Sequence, residues 1–530
     1  MRETKLSSRI RQYKMRKNIS LILLNLISCQ TIQAQSYNVA VIEFPINHNT
    51  SQHPGEVLKQ NTAQYLKLLD EINQNASQPL DLIIFPESTL TPFDSFSEAV
   101  EVPSSTTTIL CNSTENYGQF LKDLSCKAIL YNTTIVINLT EKDSDVYYNT
   151  DLVFGNNGSI IARYRKWNLF GEYGKSKPKT LDLPLIEIKN TTFGLMTCFD
   201  IQFGIPAFNL TKTLDVQNII FPLNWISELP FLTALQVQQM WSQEFNVALL
   251  AAGASNPQLG AGGSGIFLGE AGPVVSDLLP TLGTKVLIGT VPPVELLNNN
   301  FQNSNIDSQA EAMDEFYMLV DPSIIVHNSI LLNTSENSMN ASVCHRKSSD
   351  NVLCCQFNVS FTQEIIKNDF LKHYTYHLVV FNGVRTYSNL FYGGVETCGL
   401  IACLNDSLTS CGRRFSNYSE VHWPLTFTYI NIRANFSQSD QRVQFPSTLL
   451  SSIRPLPIES YIWKKEEMNS VVIRNIELVE PQTKILTFGI FGRDFERDWD
   501  PVRIKGLSNG VKLDISVIVL VFFTNLLLFL

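Results

Sequence analysis

Ten cysteines are spread over 530 residues: Cys29, Cys111, Cys126, Cys198, Cys344, Cys354, Cys355, Cys398, Cys403 and Cys411. Cys29 falls in a segment read below as a cleaved leader, and the nine that remain are odd in number. Cys111 and Cys126 are spaced to close a short loop. The last six cluster between 344 and 411, with their pairing open. Cys198 stands apart from both groups and is the thiol left over. A nucleophilic thiol needs a base, because it titrates near about 8.5 and only the thiolate attacks. The histidines are His48, His53, His327, His345, His373, His377 and His422, so residues 54–326 hold none, and a papain-like Cys/His pair would have to reach across the chain. Two other groups are better placed. Glu87 follows the apolar run LIIFP and Lys166 follows IIARYR, just as Cys198 follows FGLMT. Singly these read as a Pro-Glu turn, a surface lysine and a buried cysteine acting as a small hydrophobe. Together they are a carboxylate, an ammonium and a thiol, three chemically distinct groups at three like positions, a constellation that does not look accidental.

Such a set works only if strands deliver the three groups to one place. From residue 37 to about 293 short apolar runs alternate with amphipathic stretches, which predicts an α/β layer structure. Residues 38–44, 80–85, 128–139, 193–197, 216–221 and 247–252 read as strands, and 228–245 as a helix. Leu58, Tyr65, Leu69 and Ile72 share one helical face. Asn157-Gly158 marks a hairpin between 148–154 and 160–164. Glu87, Lys166 and Cys198 each sit just past a strand end, where open α/β sheets place reacting groups. After a polar stretch at 298–305 the texture turns aromatic and β-branched, predicting a β-rich, disulfide-containing domain over 320–500 behind a catalytic domain over 35–300.

With 44% hydrophobic and 17% charged residues, disordered, collagen-like and coiled-coil classes are excluded. Residues 19–27 (ISLILLNLI) follow seven basic residues and precede Ile32-Gln33-Ala34, so 1–34 reads as a signal peptide; a retained anchor is the alternative. Without it 33 basic residues face 48 acidic ones, a net of about −15, which argues against nucleic acid as a partner. Residues 515–530 are apolar to the last residue, with no basic stop after them. This predicts a glycolipid-anchor propeptide over 509–530, attached at Ser508 with Gly506 and Asn509 as alternatives; a single retained span competes. The implied place is the extracellular face of the plasma membrane through a lipid anchor, or secretion. Sequons at Asn49, Asn75, Asn112, Asn132, Asn138, Asn157, Asn190, Asn209, Asn333, Asn340, Asn358, Asn405, Asn417 and Asn435 agree with that compartment. His373 and His377 have metal-ligand spacing only on a helix, and their surroundings are strand-like; the glycines of 260–265 lack a phosphate-loop ending. No metal or organic cofactor is implied. Trp167, Trp225 and Trp241 are candidates for a cleft wall, with core packing the plainer reading.

FPES (85–88), RYRKWNLFGE (163–172) and GLMTCFDIQF (194–203) resemble the glutamate, lysine and cysteine motifs of the nitrilase or carbon–nitrogen hydrolase superfamily, and GGSGIF (262–267) resembles its later strand. The C-F-D context, the extra C-terminal domain and the two terminal signals resemble its vanin/biotinidase branch. The resemblance covers about residues 37–500. In vertebrate members the glutamate motif reads FPED; here Ser88 follows Glu87, a departure that looks more like the insect vanin-like proteins and falls beside the substrate. The resemblance implies an α-β-β-α sandwich, catalysis by Glu87, Lys166 and Cys198, a supporting Glu172 that orients Lys166, and an oxyanion contact from the Phe199 backbone N–H. It implies hydrolysis of a linear amide, pantetheine first and a biotinyl amide such as biocytin second. A catalytically idle surface-binding module is the reading from another class.

Overall fold

The computed structural model describes residues 35–47, 55–91, 96–103, 108–293, 313–348, 351–364 and 371–499. The expected signal peptide (1–34) with Cys29, Asn49, and the expected anchor region with Gly506, Ser508, Asn509 and 509–530 lie outside the described residues.

The first strand, β1 (Tyr37–Pro45), is buried on both faces, as a strand between two layers must be. Its alternation divides the burial: Val39 and Val41 enter one apolar cluster, Ala40 and Ile42 another. Helix α1 (Glu56–Asn75) lays Tyr65, Leu69 and Ile72 on the second cluster, joined by Leu121, Leu124 and Ala128 of α2 (Gln119–Tyr131). Strands β2 (Leu82–Ile84), β3 (Thr134–Asp143), β4 (Val146–Phe154) and β5 (Ile160–Arg165) extend this half. The other half holds β6 (Ile186–Ile188), β7 (Thr191–Leu195), β8 (Asn218–Leu223) and, after helix α3 (Ala234–Phe245), β9 (Ala248–Ser255).

Strand order is β5-β4-β3-β2-β1-β9-β8-β7-β6. β1 and β9 meet only where Phe44 and Pro45 oppose Ala254 and Ser255, so the two halves fold face to face. Val39, Val41, Ile84 and Val153 of one half share a core with Phe193, Leu195, Ile220 and Leu250 of the other. Helices α1 and α2 cover one outer face and α3 the opposite one, giving the α-β-β-α sandwich.

Two expected elements shift. The strand anticipated over 128–139 starts at Thr134, because α2 runs through Tyr131 and ends on Asn132 in the left-handed region (φ 49°). The helix anticipated over 228–245 starts at Ala234: Glu228 and Leu229 are extended, Pro230 offers no backbone N–H, and Thr233 and Gln236 form a capping box.

The C-terminal part is two five-stranded antiparallel sheets. Strands β10 (Asn328–Leu331), β13 (Thr375–Tyr387), β14 (Phe391–Cys403), β16 (Arg442–Leu450) and β19 (Ile485–Trp499) form one, in the order β10-β13-β14-β19-β16. β11 (Ser338–Ser348), β12 (Asn351–Gln363), β15 (Leu425–Ser437), β17 (Tyr461–Met468) and β18 (Val471–Leu478) form the other, in the order β11-β12-β15-β18-β17. Its core is continuous with that under α3: Phe231 and Trp241 belong to the same cluster as Phe445, Phe488 and Phe491. Buried polar contacts cross the same boundary, Gln236 Nε2 donating to Ser447 Oγ (2.9 Å) and Arg493 Nε to the Gln202 carbonyl (3.0 Å).

Disulfides join Cys111–Cys126, Cys344–Cys354, Cys355–Cys398 and Cys403–Cys411, leaving Cys198 free and buried among the described residues. Such pairing fits an oxidising compartment. No helix of the described residues is long and apolar enough to cross a membrane. Eleven sequon asparagines, Asn75, Asn112, Asn132, Asn157, Asn190, Asn333, Asn340, Asn358, Asn405, Asn417 and Asn435, are exposed, and Asn209 is half-buried. Asn138 is a correction: it is 1% exposed and its amide donates to Asn149 Oδ1 (2.7 Å) and Asp151 Oδ1 (2.8 Å), so no glycan can be carried there.

Candidate active site

Glu87 stands two residues beyond Phe85, which follows β2. The Phe85 ring stacks on Tyr65 of α1 with centroids 3.8 Å apart. Tyr65 shares a 2.6 Å hydroxyl contact with Thr89, and the Ser88 N–H donates to Asn138 Oδ1 (2.9 Å). The turn is thus held on both sides of the carboxylate, and Ser88 adopts a left-handed φ of 56°. Lys166 extends β5, its N–H donating to the Asn149 carbonyl (2.9 Å). The strand's alternation sends Arg163 and Arg165 to Glu141 on one side and Tyr164 to Asp200 on the other. Cys198 opens a 3-10 turn (Cys198–Gln202) directly after β7 and Met196-Thr197, with φ 47°. A non-glycine residue in that region is strained and must be held by its surroundings. Here the hold is a capping box between Thr197 and Asp200, with Thr197 Oγ1 also donating to Asp151 Oδ2 (2.6 Å). Asp200 accepts from Tyr164 Oη (2.7 Å) and the Asn168 N–H (2.8 Å), tying the cysteine turn to the lysine segment.

These supports bring the three groups together. Lys166 Nζ lies 2.8 Å from Glu87 Oε1 and 2.6 Å from Glu172 Oε1, with 1% of its side chain exposed. The Cys198 thiol lies 3.5 Å from the Asn224 carbonyl, close enough to Glu87 and Lys166 for both charges to act on it. Glu87 Oε2 accepts from the Asn224 N–H (2.9 Å), and the Phe170 N–H donates to Glu172 Oε2. Burial pushes the Cys198 thiol well up, Glu87 adds to this, and Lys166 opposes it, so the resting group is a thiol. Burial alone would depress the Lys166 ammonium, but Glu172 and Glu87 overcome it and hold it well above its ordinary value. For Glu172 burial raises the pKa and Lys166 outweighs it, leaving the carboxyl below its usual value. Burial pushes Asp151 up to about 8 and Asp200 to about 6.

A pocket opens over Cys198, walled by Phe170, Phe199 and Trp225 from the sandwich and by Leu319, Tyr387 and Ser388 from the C-terminal part. Phe199 packs edge-on against Tyr387 (5.6 Å between centroids). Of the other tryptophans, Trp241 is buried in the core under α3, and Lys177 sits 3.8 Å over the Trp167 ring. His373 and His377 do not converge: His377 contacts Ser329 and the Asp406 carbonyl, His373 the Leu371 carbonyl. Sequence reading missed Asn149, whose Nδ2 donates to both Glu87 (2.7 Å) and Glu172 (3.2 Å), and missed Asn224 and Asp151. The signal was there: Asn149 and Asp151 are polar residues one strand period apart inside an apolar run.

A buried acid, ammonium and thiol beneath a covered pocket of a four-layer sandwich define the class of carbon–nitrogen hydrolases, which split amides. Residues 38–292 match the Carbon-nitrogen hydrolase family and residues 316–498 the Vanin C-terminal domain. Vanin-like protein 3 of Drosophila melanogaster is 30% identical over 493 residues, covering 88% of this chain and 90% of that one. Pantetheinase of Homo sapiens is 26% identical over 430 residues, 78% of each. The crystal structure of Saccharomyces cerevisiae Nit3, a member of branch 10 of the nitrilase superfamily, aligns with 53% of this chain and 99% of its own at 17% identity and a TM-score of 0.41. The chain belongs to the carbon–nitrogen hydrolase superfamily, in its vanin branch, and is an amide-hydrolysing enzyme.

Proposed function

We propose that this enzyme cleaves pantetheine to pantothenate and cysteamine, with Cys198 as nucleophile, Glu87 as general base and acid, and Lys166 as the oxyanion's cation. The observation that carries the reading is the meeting of Glu87, Lys166 and Cys198 in one buried cluster. Because Cys198 rests as a thiol, its proton passes to Glu87 as the sulfur attacks the amide carbonyl. The C=O electrons move onto oxygen, and the tetrahedral oxyanion is held by Lys166 and the Phe199 N–H. Glu87 returns the proton to the departing amine, the C–N bond breaks, and a thioester remains on Cys198. Water then gives its proton to Glu87 and attacks the thioester; the acid leaves and the thiol is restored. Glu172 holds Lys166 in place. Pantetheine is favoured because the relatives that match most of the chain include pantetheinases. The disulfides and exposed sequons support a glycosylated protein outside the cell; the apolar runs at 19–27 and 515–530 are what support release by a 1–34 signal and a lipid tether at Ser508. The test is to incubate purified protein with pantetheine and with biocytin, and to detect cysteamine or lysine. Cysteamine release is expected; lysine release alone would replace pantetheine with a biotinyl amide.

A further inference from the structure

The pocket over Cys198 carries one charged side chain among its described lining residues, Glu228. It belongs to the extended pair Glu228–Leu229, hydrogen-bonded to Leu319 and Val320 of the C-terminal part. The fully buried Arg385 reaches it from β13, Nη2 lying 2.5 Å from Glu228 Oε1. Arg385 does not need this carboxylate for neutrality. Its Nη1 donates to Asp321 Oδ2 (3.0 Å), and its Nε and Nη2 donate to the Thr386 carbonyl (3.1 Å each). Asp321 is itself engaged through Oδ1 by the Ser323 N–H and hydroxyl. Two carboxylates therefore share one guanidinium, and the one in excess faces a pocket whose other walls are largely aromatic and aliphatic. Holding it there is costly: burial, then Asp321, push Glu228 up to about 7 against the pull of Arg385. A buried acceptor in an apolar wall discriminates strongly between molecules that bring it a donor and molecules that do not.

We propose that Glu228 is a specificity-determining residue that accepts a hydrogen bond from a hydroxyl or amide N–H on the acyl portion of the substrate. Oε1 is the oxygen beside Arg385, so the proposed contact uses the carboxylate's remaining acceptor capacity. The acyl portion stays on the Cys198 sulfur through both halves of the reaction, so a wall residue beside that sulfur touches it throughout. The inference rests on the amidase reading above and narrows it to amides of polar, donor-bearing acids.

The experiment compares kcat/KM for pantetheine, biocytin and N-hexanoylcysteamine, whose acyl chain has no donor, in the wild-type protein and in Glu228→Gln. The Gln variant is expected to lose about tenfold or more on whichever donor-bearing amide the wild type cleaves, chiefly through KM, and to stay within about twofold on the hexanoyl amide. Glu228→Asp keeps the charge for Arg385 but withdraws the oxygen from the pocket; it should show the same loss of preference and serves if the Gln protein does not fold. Equal losses on both kinds of amide would assign Glu228 a structural role and overturn the inference. Cleavage of biocytin but not pantetheine would instead overturn the pantetheine reading and leave Glu228 tested on biocytin.

Discussion

Cys198, the proposed nucleophile, is held in a left-handed conformation with its thiol 3.5 Å from the Asn224 carbonyl and near Glu87. Burial and Glu87 raise its pKa, so on the proposed mechanism the thiolate forms only as Glu87 takes the proton. Alkylation of Cys198 by iodoacetamide is therefore expected to accelerate steadily through pH 9; a rate that levels off below pH 7 would reveal a preformed thiolate instead. Glu87→Gln keeps the shape and removes the base, and should lower kcat by about 10² to 10⁴ while the melting temperature holds within a few degrees. Unfolding of that variant would show the carboxylate to be structural. At this scale the sequence is legible where chemistry is scarce: one unpaired cysteine, no histidine between 54 and 326, and a Glu and a Lys at strand ends. It is opaque for Asn224, because asparagines are common and only the folded chain shows which backbone N–H meets a carboxylate. Asn138 shows the reverse error, a sequon pattern on a residue that the strand turns inward.

Strands β4, β5 and β7 position the site through polar residues inside otherwise apolar runs. Asp151 of β4 is the clearest case, wholly buried and raised to about 8 while accepting from Thr197 and Asn138. The native state keeps this proton where the unfolded chain, with a carboxyl near about 3.9, has lost it. Its contribution to stability is therefore present in full below about pH 4 and lost as pH rises to about 8. Asp151→Asn, whose amide can satisfy both Asn138 and Thr197, should melt higher than the wild type at pH 8, and the gap should shrink toward pH 5. A gap that does not depend on pH would mean that the carboxyl is already ionised in the fold. Element types were readable from period, and element ends less so. The 128–139 run hides a helix end because Ala128, Ile129 and Leu130 suit either structure. The start of α3 was nevertheless written in Pro230 and in the Thr233-x-x-Gln236 box.

The chain reads as two parts joined by a polar stretch at 298–305, yet the apolar cluster under α3 runs without a break into the C-terminal sheets. Arg493, 1% exposed, stitches this boundary by donating to the Gln202 and Gly394 carbonyls and pairing with Asp498. Composition could not reveal this, since a face that packs on another domain looks like any core-facing stripe. Calorimetry should accordingly record one transition for both parts. Arg493→Ala should lower that shared transition by about 3 kcal/mol of stability, because Asp498 and two carbonyls lose their donor. Two separated transitions would mean independent domains. The second part also builds the pocket through Leu319, Tyr387 and Ser388, so its loss should abolish turnover even though Glu87, Lys166 and Cys198 all lie in the first. The most direct test of the whole account is intact-protein and peptide mass spectrometry on samples quenched during turnover of pantetheine. A pantothenoyl thioester on the peptide bearing Cys198, absent from a Cys198→Ala protein that releases no cysteamine, is the predicted result; cysteamine release by Cys198→Ala, or acylation at another residue, would contradict it.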